Sequence, residues 1–133
     1  MARLKILLVD DETDFRKTMG AIIEGWGYDL IEAPNGKEAI DALKKEKPAI
    51  IILDYLMPGM DGIVTLKEIR GIDKKIPVIM FTAHPDIKVI EGSGNLGVSA
   101  FIPKLSVHSD TQFALKTAID MVEKKLKKQK GTI

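Results

Sequence analysis

Four stretches of the chain carry side chains whose chemistry is complementary. Asp10, Asp11 and Glu12 supply adjoining carboxylates, Asp54 a solitary one, Thr82 a hydroxyl and Lys104 an ammonium. Carboxylates with no histidine or cysteine beside them are hard oxygen ligands, which select magnesium, manganese or calcium over zinc or copper. Magnesium takes one or two carboxylates, keeps several waters and accepts phosphate oxygens. Three aspartates gathered at one point repel one another unless a cation intervenes. Magnesium is therefore the expected cofactor, with manganese as the alternative. Lys104 would place a point charge on a phosphoryl oxygen, and Thr82 would donate a hydrogen bond to it. Transfer of a phosphoryl group needs mainly such positioning and neutralisation. One carboxylate must then be the nucleophile. Asp54 stands alone, whereas Asp10 and Asp11 form a pair suited to a metal, so Asp54 is the candidate.

For these groups to meet, the elements that carry them must share one end of a sheet. Short apolar runs at 6–9, 28–33, 49–53, 78–81 and 99–102 read as five strands. The runs are continuous rather than alternating, which suggests strands covered on both faces, as in a parallel sheet. Between them lie amphipathic segments. Phe15, Met19, Ile22 and Trp26 share one helical face, and Gly25 and Gly27 end that helix. Ile40 and Leu43 mark a second helix starting near Asn35 and Gly36. Ile63, Leu66 and Ile69 mark a third, ending at Gly71. A fourth, over 86–98, holds Gly92, Gly94 and Gly97 and is expected to be short and frayed. Leu115, Ile119, Val122 and Leu126 line the last, whose outer face ends in Lys124, Lys125, Lys127, Lys128 and Lys130, a solvated face that suits the helix dipole.

Strands alternating with helices predict an α/β fold, a doubly wound parallel sheet built from (βα)5 units. Right-handed crossovers leave few topologies, and the flavodoxin-like order 2-1-3-4-5 is the expected one. Pro103 supports it, because proline is tolerated on an edge strand and the fifth strand is an edge in that order. Ligands bind beyond the carboxyl ends of such strands. Asp10 and Asp11, Asp54, Thr82 and Lys104 all stand at those ends, so the order brings them to one mouth.

The 133 residues suit one domain, expected over 1–130 with 131–133 as a tail. The absence of cysteine excludes a disulfide framework, a thiolate zinc site and a cysteine nucleophile. A net charge of +1 points neither to nucleic acid nor to acidic partners. No apolar run is long enough to span a bilayer, and no signal peptide precedes the first strand. A cytoplasmic location is expected, with neither membrane contact nor direct nucleic-acid binding by this domain.

With these residues in order, the chain resembles the receiver domains of two-component response regulators, from about Leu4 to Leu126. The markers are Val9-Asp10-Asp11, then Asp54-Tyr55-Leu56-Met57-Pro58-Gly59-Met60-Asp61-Gly62, then Thr82-Ala83, then Phe101-Ile102-Pro103-Lys104. The resemblance implies that Asp54 accepts a phosphoryl group from a phosphohistidine on a sensor histidine kinase or phosphotransfer protein. It implies that Asp11, Asp54 and the backbone carbonyl of Leu56 bind magnesium directly, with Asp10 acting largely through water. Thr82 would bond the phosphoryl group and draw the following loop inward. Lys104 would pair with it, and Phe101 would be the switch aromatic. The output would be control of a downstream effector rather than turnover of a substrate. His84, two positions after Thr82, stands where family side chains affect hydrolysis of the aspartyl phosphate; a surface histidine with no such role is the favoured reading, and a role in hydrolysis rate the alternative. Pro58, Asp61 and Gly62 read as a turn and a helix start.

Two departures stand out. The family usually has Lys-Pro after the fifth strand, and here Leu105 follows Lys104, so a trans Lys104–Leu105 bond is expected. The glycine-rich fourth helix is the other. A flavodoxin-type electron carrier would share the sheet order, but the acids at 10–12 would repel a flavin phosphate. An aspartate-nucleophile phosphohydrolase would need its nucleophile after the first strand in an Asp-x-Asp pattern, which the chain lacks. A degenerate receiver would have lost some of the acids, the threonine or the lysine.

Overall fold

The computed structural model describes residues 3–55, 57, 59–83, 91–92, 94–104 and 109–131. Five parallel strands form one sheet: β1 (Lys5–Val9), β2 (Asp29–Ala33), β3 (Ile50–Leu53), β4 (Val78–Thr82) and β5 (Ala100–Pro103). Their order is β2-β1-β3-β4-β5, as the alternation of strands and helices predicts. Pro103 ends the edge strand β5, opposite Thr82.

The continuous apolar runs divide by period two. Ile6, Leu8, Ile50, Ile52, Ile79, Phe81 and Ile102 point to one face, where α1 (Thr13–Gly25) and α4 (Ser109–Gly131) cover them. Leu7, Val9, Ile51, Leu53, Val78 and Met80 point to the other, under α2 (Gly36–Glu46) and α3 (Gly62–Ile72). A strand buried on both faces must be apolar at every position, which is why alternation is missing from the sequence.

Helix α1 is rotated from its expected setting. Arg16, Met19, Gly20 and Ile23 form its buried line, while Phe15, Ile22 and Trp26 flank it, half-buried. The arginine and glycine carry no apolar signal, so periodicity alone placed the stripe slightly to one side. Helix α4 buries Leu115, Ala118, Ile119 and Val122, and its lysines 124, 125, 127 and 128 are exposed. Much of the expected fourth helix lies outside the described residues. Positions 91–92 and 94–95 are helical, and Gly97 N–H closes a turn on the Gly94 carbonyl at 3.0 Å.

Arg70 ties this region together. Its guanidinium donates to the carbonyls of Leu96 at 2.7 Å, Ile76 at 2.8 Å, Asp73 at 3.2 Å and Gly97 at 3.2 Å. The end of α3, the approach to β4 and the approach to β5 thereby share one anchor.

Caps set where the helices near the mouth begin. Asn35 accepts from Glu38 N–H at 2.9 Å and starts α2. Asp61 accepts from Val64 N–H at 2.9 Å and starts α3, the structural role expected of it. Gly62 is required for a different reason. Its N–H donates to the Tyr55 carbonyl at 2.6 Å. A Cβ there would lie 2.6 Å from both the Asp54 carbonyl oxygen and Tyr55 Cα, which are backbone and cannot swing aside. Gly71, in the last turn of α3, has nothing within 4 Å of such a Cβ. Gly62→Ala is expected to cost ~1–3 kcal/mol through overpacking. Gly71→Ala is expected to add ~0.5–1 kcal/mol through helix propensity. Urea unfolding of both variants checks the opposite signs.

Candidate functional site

Strand register builds the mouth. Val9 pairs with Leu53, so Asp10 and Asp54 leave the sheet side by side, and Asp54 N–H donates to the Val9 carbonyl at 3.0 Å. Thr82 pairs with Pro103, which puts Lys104 next in line; its N–H donates to the Thr82 carbonyl at 2.6 Å. Asp10, Asp54, Thr82 and Lys104 are all buried, and Asp11 is half-buried. The structure thus brings together the five side chains that the sequence placed at strand ends.

Asp10, Asp11 and Asp54 each offer a carboxylate oxygen, and the three oxygens lie within 4.8 Å of one another. Lys104 is the counter-charge. Its Nζ lies 2.8 Å from Asp10 Oδ2, 2.9 Å from Glu12 Oε1 and 3.3 Å from Asp54 Oδ2. Burial raises the Asp10 carboxyl above the usual range, and the hydrogen bond from Lys104 offsets this only in part. Burial likewise raises Asp54; the Lys104 charge opposes the rise, the Asp10 charge adds to it, and a Thr82 hydrogen bond lowers it slightly. Burial alone would lower Lys104, but bonds to Asp10 and Glu12 and the Asp54 charge overcome it, and the ammonium is held above its ordinary value. Upward shifts on both sides are consistent. The lysine gains from three carboxylates, whereas each buried carboxylate has only a share of one lysine.

One atom is left over. Asp54 Oδ1 is buried and has no hydrogen-bond partner among the described residues. Such an atom costs ~1–3 kcal/mol, more when charged. A bare carboxylate oxygen beside two further carboxylates, in an all-oxygen donor set, fits a hard divalent cation. Magnesium suits the site on that ground.

Sequence reasoning missed two neighbours of Lys104. Glu12 was noted only as a third acid, yet it pairs directly with the ammonium while 64% of its side chain stays exposed. Phe15 was assigned to the core stripe, yet the ammonium lies 4.2 Å from its ring centroid, and the same ring packs on Phe81 at 5.8 Å. Pairings across 92 residues have no local signature. Phe101 pairs with Met80 and is half-buried against the cluster under α2 and α3. Leu56, His84 and Leu105 lie outside the described residues, so the expected carbonyl ligand, the hydrolysis-rate position and the Lys104–Leu105 bond go without structural description.

Comparison with known proteins gives one consistent family. The family described as "Response regulator receiver domain" matches residues 6–116. Sporulation initiation phosphotransferase F of Bacillus subtilis is 38% identical over 104 residues, spanning 78% of this chain and 84% of that protein. The transcriptional regulatory protein ZraR of Escherichia coli K12 is 29% identical over 116 residues, 87% of this chain but only 26% of that protein. Among solved structures, the chemotaxis protein CheY4 of Vibrio cholerae matches with a TM-score of 0.81 and 28% identity, covering 91% of this chain and 99% of that one.

The uncompensated acids predict a metal-dependent stability. In chelator, Asp54→Asn is expected to unfold several degrees above wild type, because it removes a buried charge whose ionised form the site disfavours. Millimolar magnesium should then raise the wild-type midpoint and leave Asp54→Asn nearly unmoved. Scanning calorimetry of both proteins, with and without magnesium, makes the comparison. A wild-type midpoint indifferent to magnesium would count against the cation fit.

Proposed function

The chain belongs to the response regulator receiver domain family, and we propose that Asp54 is its phosphoacceptor and residues 1–130 its receiver unit, with 131–133 as a tail. The observation that carries this is the unequal environment of the two Asp54 oxygens. Oδ2 is on Lys104, and Oδ1 is buried without a hydrogen-bond partner among the described residues. A carboxylate that both binds a metal and attacks phosphorus needs one oxygen for each task. Asp10, Asp11 and Asp54 would hold magnesium, or manganese in its place, together with the Leu56 carbonyl that the family resemblance supplies. When bound, the ion neutralises charge on the phosphoryl oxygens.

The chain's own residues do the rest. An Asp54 oxygen attacks the phosphorus of a phosphohistidine on a sensor kinase or phosphotransfer protein. The P–O bond forms as the P–N bond breaks, and the imidazole leaves with the electron pair and takes a proton. Lys104 turns part of its charge from Asp10 and Glu12 to a phosphoryl oxygen. Its flexible stem permits that without backbone movement. Thr82, at the end of β4, gives its hydroxyl to a second phosphoryl oxygen. The β4–β5 edge then shifts and Phe101 turns inward, which alters the surface offered to a downstream effector. For His84 a surface histidine with no part in the chemistry is the favoured reading, and tuning of acyl-phosphate hydrolysis is the alternative. Receiver domains of this family are phosphoacceptor switches, and this one acts on its own phosphorylation and dephosphorylation alone. A cytoplasmic location, with neither membrane contact nor direct nucleic-acid binding, completes the reading. No helix among the described residues is long and apolar enough to cross a membrane.

Intact mass after incubation with magnesium and acetyl phosphate tests the assignment. Wild type is expected to gain one hydroxylamine-labile phosphoryl group and Asp54→Asn none. Equal labelling of both proteins would move the acceptor elsewhere.

A further inference from the structure

The acidic loop is placed no better than the backbone that carries it, and a side chain outside the cluster holds that backbone. Arg16 lies on the buried line of α1 with 10% of its side chain exposed. Its Nη1 donates to the Asp10 carbonyl at 2.7 Å, and its Nε donates to Glu32 Oε1 at 3.0 Å. The Asp10 carbonyl and the Asp11 N–H belong to one planar peptide unit. Fixing that carbonyl therefore fixes the plane from which Asp11 departs. The other side of Asp10 is tied too, because its N–H donates to the Ala33 carbonyl at 3.1 Å. Its Oδ1 accepts from Glu12 N–H at 2.9 Å. The two ends of the Arg16 contact thus join the acidic loop to β2, the strand that bears Glu32.

A guanidinium buried under a helix is expensive unless every direction is matched. An apolar residue would pack α1 on the sheet at lower cost. The planar fork instead serves two acceptors at set angles, which an ammonium cannot do. Lys17 reaches the other oxygen of Glu32 at 3.2 Å, but it is largely exposed, and no contact to the acidic loop is described for it.

We propose that Arg16 and Glu32 are a positioning pair that sets the divalent-cation affinity of the Asp10, Asp11 and Asp54 cluster by locking the peptide between Asp10 and Asp11. The inference rests on the magnesium reading above. Arg16 touches no reacting atom and acts through that peptide. Outer partners of metal ligands commonly change affinity 10–100-fold when lost.

Calorimetric titration of magnesium into the metal-free protein provides the test. Wild type, Arg16→Met, Arg16→Lys, Glu32→Gln and Lys17→Gln are compared, each well below its own unfolding midpoint. Arg16→Met is expected to weaken magnesium roughly tenfold or more. Arg16→Lys should fall between it and wild type, since one ammonium cannot serve both acceptors. Glu32→Gln should also weaken binding, and it keeps the inference testable if Arg16→Met does not fold. Lys17→Gln should bind as wild type does. Folded Arg16 and Glu32 variants with lower midpoints but wild-type magnesium affinity would overturn the proposal, leaving the pair a purely structural role. A wild type that takes up no magnesium would overturn the cation reading and this inference with it.

Discussion

Lys104 Nζ has carboxylate oxygens from Asp10, Glu12 and Asp54 within 3.3 Å, and it is almost wholly enclosed. Removing that ammonium would leave two buried carboxylates facing each other in a poorly solvated mouth. Burial raises both acids even with the lysine present, so one cation holds the site together without satisfying it. The site is therefore acceptable to a folded chain and still short of positive charge. On the proposed reading, a divalent cation and a phosphoryl group together would meet that shortfall in a way neither does alone. The cation would neutralise the acids, and the phosphoryl oxygens would give Lys104 a new acceptor.

The fold supplies the site by register rather than by local motif. Parallel strands β1, β3, β4 and β5 end at one edge, and each contributes the residue just beyond its last or next-to-last pair. Asp54 follows four apolar residues buried on both faces, which makes its position as rigid as the sheet. Gly62 then brings the start of α3 against the backbone of Asp54 and Tyr55, closer than any side chain would allow. Asp54 is thus clamped from the sheet side and from the helix side. Of its two side-chain oxygens, Oδ2 is held by Lys104 and Oδ1 has no hydrogen-bond partner among the described residues.

Most of this was legible in the chain itself. The apolar runs foretold five strands, and Pro103 argued for β5 at the edge. Asp10, Asp11, Asp54, Thr82 and Lys104 could be assigned to one mouth because strand ends in a parallel sheet converge. What escaped was of another kind. Arg16 occupies a core position that apolar periodicity skips, and Glu12 and Phe15 meet Lys104 only through the tertiary fold. Arg70 was equally invisible, since its partners are backbone carbonyls, which every residue possesses. Sequence patterns report where apolar surface goes. They say little about where a long cation reaches.

That distinction divides Arg16, Arg70 and Lys104 into two kinds of work. Arg70 spends its planar, many-donor group on backbone carbonyls, and Arg16 divides its own between the Asp10 carbonyl and the Glu32 carboxylate. They fix the acidic loop and the approaches to β4 and β5. Lys104 is a compact charge on a flexible stem, and its acceptors are side-chain carboxylates that can be exchanged for others. Glu12 is the most exposed of those acceptors. Solvent screening weakens an exposed ion pair of this kind relative to an enclosed one at the same distance. A switch of this design needs the two behaviours together. On the proposed reading, the arginines would hold the frame while one lysine, rather than a general loosening, responds to the phosphoryl group.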